Sequence, residues 1–88
     1  MRFRYDADMP TIIRQGGFGV VIYTDDHAPP HVHVFYGNEE LLVSLGSGTA
    51  PVGVRTNRGM KPQRILKALR LVADNQALLL ERWREIHG

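Results

Sequence analysis

Three of the four histidines in this 88-residue chain fall in one short stretch, Asp25-Asp26-His27-Ala28-Pro29-Pro30-His31-Val32-His33. Imidazole changes charge near neutral pH and is a common metal ligand, so histidines beside carboxylates suit proton transfer or metal ligation. For proton transfer the catalytic candidates are Asp26, His27, His31 and His33. One histidine would take the proton of a ribose 2′-hydroxyl, another would protonate the leaving oxygen, and a cation would stabilise the phosphorane charge. Arg14, Arg55 and Arg58 are candidates for that cation. This reading needs no cofactor. The alternative is a zinc ion on His31 and His33, with His27 or Asp26 completing the set and one position left open. Asp25 and Asp26 also have a plainer role open to them, since an aspartate before a proline-rich bend often only bonds backbone amides.

The elements around the stretch decide where these side chains point. Residues 10–14 are β-branched and read as a first strand. Gln15-Gly16-Gly17-Phe18 is a turn whose glycines can take positive φ, and residues 19–23 form a second strand. Residues 25–30 cannot be a regular strand or helix, because Pro30 lacks an amide donor and Pro29 is restricted by the proline after it. His31 to Tyr36 is the third strand, Gly37-Asn38 a tight turn, and residues 40–45 the returning fourth strand. Residues 46–51 form a flexible connection, and 52–56 make a short fifth strand on an edge.

Helix takes over after Pro62, which suits a first helical turn. Ile65, Leu69, Val72, Leu79, Trp83 and Ile86 repeat in steps of three and four, with Gln76 at the one non-apolar place in the stripe. A single helix of that length would be long for so small a domain, and Asp74-Asn75 offers a place to bend. Two helices are therefore expected, over residues 61–74 and 75–87. The fold class is α+β: an antiparallel sheet of four or five strands followed by two C-terminal helices packed on one face.

Alternation along the third strand puts His31, His33 and Phe35 on one face and Val32, Val34 and Tyr36 on the other. The valine face is the natural partner of the helices. The histidine face is then expected to stay open, with His31 and His33 at least partly exposed and His27 curling over it.

Composition bounds the rest. Hydrophobic content of 43% and charged content of 23% fit a globular domain, and one this small buries only about 60% of its unfolded surface, which makes a homodimer a candidate. No apolar run approaches the ~20 residues that cross a bilayer. Without cysteine there is neither a disulfide framework nor a thiolate zinc site. The cytosol and no membrane association are the expectation. Nine of the eleven basic residues are arginine, suited to bidentate recognition of phosphate. Arg14, Arg55, Arg58, Lys61 and Arg64 are the nucleic-acid-binding candidates, continued by Lys67 and Arg70 along one acid-free segment. The plain alternative for that segment is a solvated helix face and a basic loop.

Met9-Pro10-Thr11-Ile12, then Asp26-His27-x-Pro-Pro-His31-x-His33-Val34, Tyr36-Gly37 and a Leu-rich helix reaching Trp83 together resemble a family of small bacterial proteins, domain of unknown function family four-one-six-zero. The resemblance runs from Met9 to about His87, and the Asp-His-x-Pro-Pro-His-x-His segment is its specific part. The glycine-rich region 46–59 departs from it, being longer than is usual in the family. It implies that residues 1–8 are an extension to a single domain over 9–88. It also implies a toxin–antitoxin-like two-gene module, with a small cognate protein encoded alongside. The leading expectation is the toxin-like member, acting on or binding RNA through the histidine face. A non-catalytic partner-binding module and a metal-dependent hydrolase are the alternatives.

Overall fold

The computed structural model describes residues 11–47 and 49–88. Five strands, β1 (Thr11–Gln15), β2 (Phe18–Val21), β3 (His31–Tyr36), β4 (Glu39–Ser44) and β5 (Gly53–Arg58), precede two helices, α1 (Pro62–Asp74) and α2 (Gln76–His87). The sheet is antiparallel and its spatial order is the chain order, β1 to β5. The α+β class and the two-helix division are therefore as the pattern indicates. Pro10 and the extension expected over residues 1–8 lie outside the described residues.

Short turns set the sheet. Gly16 and Gly17 both take positive φ, as a two-residue hairpin whose twist matches its strands requires. The central register follows: Val21 pairs with His33 and His33 with Leu42, while Val20 pairs with Val34 and Val34 with Leu41. Paired residues share a face, so the two faces of β3 divide as alternation dictates. Val20, Val32, Val34, Leu41 and Val43 are fully buried in a core completed by Ala68, Leu71 and Val72 of α1 and Leu79 of α2. The valine face is the helix-covered one. Ala68 and Leu71 belong to the buried stripe as well, whereas Ile65 and Leu69 are only partly covered.

β5 runs from Gly53 to Arg58, past the expected residue 56. Its register against β4 shifts: Leu42 pairs with Thr56 but Val43 with Val54, leaving Arg55 as an extra residue. Such a bulge bends the strand and re-aims a side chain.

The connection after β4 is tied to the second helix at three of its described residues. The amide of Gln76 donates to the carbonyls of Leu45, Ser47 and Ala50 at 2.7, 2.9 and 3.0 Å, which explains an amide at an otherwise apolar place of the helical stripe. Gly46 takes φ of +66°, and a Cβ there would meet the carbonyl oxygens of Ala50 and Pro51.

One expectation is corrected, for the histidine face is not open: His31 is 4% and His33 7% exposed. His33 is flanked by buried Val21 and Leu42. Trp83 of α2 brings its ring to 5.3 Å from that of His31. The chain bends at Asn75, whose Nδ2 donates to the carbonyl of Leu71, and α2 thereby reaches the end of the sheet where β3 begins. A second layer thus caps the face that alternation alone leaves bare.

Candidate metal centre

The segment between β2 and β3 folds back on itself. The amide of Asp26 donates to the carbonyl of Tyr23 at 3.2 Å, and the amide of Tyr23 donates to Asp26 Oδ2 at 3.1 Å. This local closure is the backbone-bonding role expected of an aspartate before a proline-rich bend, but it occupies only one carboxylate oxygen. The other, Oδ1, points at the histidines, 3.2 Å from His33 Nε2 and 3.5 Å from His31 Nε2.

The outward nitrogens are held in turn. His33 Nδ1 lies 2.9 Å from Glu40 Oε2, so both ring nitrogens of His33 face carboxylate oxygens. His31 Nδ1 lies 3.0 Å from the carbonyl of Pro29 and 2.7 Å from Arg55 Nη1. Tyr23 sets its ring edge-on to His33 at 4.5 Å. Burial first, then the charges of Glu40 and Asp26, push its phenol above its ordinary pKa, so the hydroxyl keeps its proton throughout the neutral range.

Among the described residues, Asp26, His31 and His33 form the group whose ligand atoms all lie within 4.8 Å of one another. A tetrahedral ion bound at about 2.0–2.1 Å separates its ligand atoms by about 3.3–3.4 Å. The observed 3.2 and 3.5 Å bracket that spacing. The surroundings suit a metal as well: ligating histidines usually donate their other N–H to a carboxylate or a backbone carbonyl, and Glu40 and Pro29 stand in those two positions.

His27 is not in this group. It is exposed, and with Asp26, Ala28, Pro30, Leu80, Trp83, Arg84, His87 and Gly88 it lines a cavity of about 620 Å³ beside the histidines. The fourth histidine, His87, packs against Trp83 with ring centroids 4.0 Å apart and planes tilted by 36°. Its Nε2 is buried without a hydrogen-bond partner among the described residues. Asp26 belongs both to the cluster and to the cavity wall.

The basic candidates separate. Arg55 reaches His31, and Arg58 Nη1 lies 3.4 Å from Glu40 Oε2. Arg64 instead grips Glu39 through two bonds of 2.7 and 2.6 Å and lies over the ring of Tyr36. That grip holds the Glu39 carboxyl below the usual carboxylate range and raises the Arg64 guanidinium. The exposed Lys61 donates its amide to the same Glu39. Arg14 lies on β1, the edge of the sheet opposite β5. Glu40 escaped the sequence reading. The signal for it was the Gly37-Asn38 turn, which sets Glu40 across from Phe35 and diagonal to His33 on one face.

Fold and cluster together define a small α+β domain with a buried carboxylate–histidine centre at one end of its sheet. Residues 17–84 match the sequence profile of a domain of unknown function (DUF4160), and the chain belongs to that family. No curated protein and no solved structure matches it. Among the described residues, no helix is long and apolar enough to cross a membrane.

Proposed function

We propose that the domain is a zinc-class metalloprotein in which Asp26, His31 and His33 hold the ion, and that it hydrolyses an anionic substrate. The observation that carries this reading is the convergence of two Nε2 atoms on one carboxylate oxygen at 3.5 and 3.2 Å, with a protein acceptor behind each histidine. Three protein ligands without cysteine are the donor set of catalytic zinc, which keeps a position for water and lowers that water's pKa to about 7. The neighbouring cavity shares Asp26 and carries His27, Arg84 and His87. With Arg55 and Arg58 beside the histidines, the surroundings are rich in groups that bind anions.

RNA is the substrate we favour, because a phosphodiester matches these groups. This agrees with the toxin-like member of a two-gene module, whose cognate small protein would be its partner. Burial of His31 and His33 favours the metal reading over acid–base chemistry by two free imidazoles, since general acids and bases must reach the protons they move.

Zinc titration against a chromophoric chelator, followed by incubation with single-stranded RNA, tests the proposal. The wild type should bind one zinc, and Asp26→Ala and His33→Ala should each lose it. Cleavage should require the metal and stop in chelator. Absence of zinc binding by the folded wild type would overturn the proposal. Cleavage that persists in chelator would return the chemistry to the histidines alone. Zinc binding without hydrolysis would leave a partner-binding module.

A further inference from the structure

β5 closes the sheet at one edge, with β4 on its inner side and, among the described residues, no strand on its outer side. Every residue from Val54 to Arg58 is exposed. One row of backbone donors and acceptors is therefore open to another chain. The side chains along this edge divide by face. Val54 pairs with fully buried Val43 and so lies on the helix-covered face, yet it is 46% exposed. Lys67, Arg70 and Asp74 of α1 line a groove with Gln15 and Gly16 at the β1–β2 turn. Helical spacing turns Ile65 and Leu69, both only partly covered, to the opposite flank, toward β5. On the histidine face the edge is basic instead: Arg55 reaches His31 and Arg58 reaches Glu40. The Arg58 contact is long, at 3.4 Å, and its side chain stays 57% exposed, so it can still meet a second carboxylate. Lys61 follows, and residues 52–61 include no acid.

We infer that β5 accepts an extended acidic segment of another protein as a sixth strand. Side chains of an added strand alternate between the faces of the sheet. Its carboxylates would fall beside Arg55 and Arg58, and its apolar residues beside Val54, Ile65 and Leu69. A second copy of this chain fits the edge less well. An antiparallel pair of β5 strands would set arginine beside arginine on one face, and like charges across strands destabilise the pairing. The same two arginines thus guard the edge against its own kind and favour an acidic partner. The inference stands apart from the zinc reading, since it needs neither metal nor hydrolysis.

Capped nonapeptides of alternating glutamate and valine, or of lysine and valine, test this with backbone amide NMR on the metal-free protein. A strand this short makes a small, transient contact, so the peptides are titrated to high concentration. The glutamate–valine peptide should shift the resonances of residues 53–58 and slow amide exchange there. Replacing Arg55 and Arg58 together with Gln should weaken it about tenfold at low salt, the scale of two exposed ion pairs. A copy of the peptide with its amides N-methylated should not bind the wild type, because strand addition needs those donors. Absence of binding by the glutamate–valine peptide would overturn the inference. So would equal binding by the lysine–valine or N-methylated peptide, or shifts centred away from β5. A wild type that dimerises through residues 53–58 would give the edge to a second copy. Protection of β5 by single-stranded RNA but not by the peptide would give it to nucleic acid. Either result overturns the acidic strand. Zinc titration reads the metal centre separately, so failure of one reading leaves the other standing.

Discussion

At the scale of single residues, the centre is specified by what stands behind each ligand as much as by the ligands. Glu40 is not itself a candidate ligand, yet its Oε2 lies 2.9 Å from the far nitrogen of His33. Glu40→Gln preserves size and removes the charge. Carboxylate partners of this kind hold ring orientation and basicity, and their loss weakens metal affinity by about 10- to 100-fold. Chelator competition on Glu40→Gln should show a loss in that range with the fold intact by circular dichroism. An unchanged affinity would assign Glu40 to the ion pair with Arg58 alone. Asp26 illustrates the same division within one side chain, because Oδ2 closes the loop on Tyr23 while Oδ1 addresses both histidines.

At the scale of elements, two polar ties join pieces distant in sequence. Gln76 satisfies three carbonyls of the β4–β5 connection. Gln76→Ala should cost about 1 kcal/mol, since the partly buried carbonyl of Leu45 loses its donor while those of Ser47 and Ala50 are open to water. Urea denaturation measures the loss, and faster amide exchange near Ser47 and Ala50 would locate it. The second tie, Glu39 to Arg64, joins β4 to α1. Glu39 ionises more readily folded than unfolded. Its contribution is therefore complete above the ordinary glutamate pKa of about 4.3 and disappears as pH falls through the depressed folded value. The urea midpoints of wild type and Glu39→Gln should differ at neutral pH and converge in acid. A gap that persists in strong acid would show that charge is not what this contact contributes.

For the whole molecule, Trp83 is both core and lid. It belongs to the hydrophobic cluster and packs at a tilt against both His31 and His87. Trp83→Ala should cost about 3–5 kcal/mol, a large part of the roughly 5–15 kcal/mol that holds a small domain folded. His31→Ala should cost about 1–3 kcal/mol, because it removes a buried ring and leaves the partly buried Asp26 carboxylate short of a partner. This is more than a surface residue would lose, and chemical denaturation of both variants checks the order. Cover over the histidines thus comes from the same packing that stabilises the fold.

Much of this was legible in one dimension. Strand period, paired glycines and the proline-rich break specify the hairpins, and they divide β3 into a valine face and a histidine face, because alternation depends only on neighbouring residues. The helical stripe ending at Trp83, and the bend near Asn75, are local as well. Tertiary structure alone decided which carboxylate meets the histidines, where His27 falls, and that the histidine face is closed. Asp26 joins the cluster instead of His27 because the loop folds back through its own backbone bonds to Tyr23. Arg55 reaches His31 because a register shift on β5 re-aims it across twenty-four positions of chain. Trp83 covers the far end of the sheet because the angle between two helices, which no local period encodes, carries it there. Sequence period determines which face a side chain takes, and packing between elements determines what that face meets.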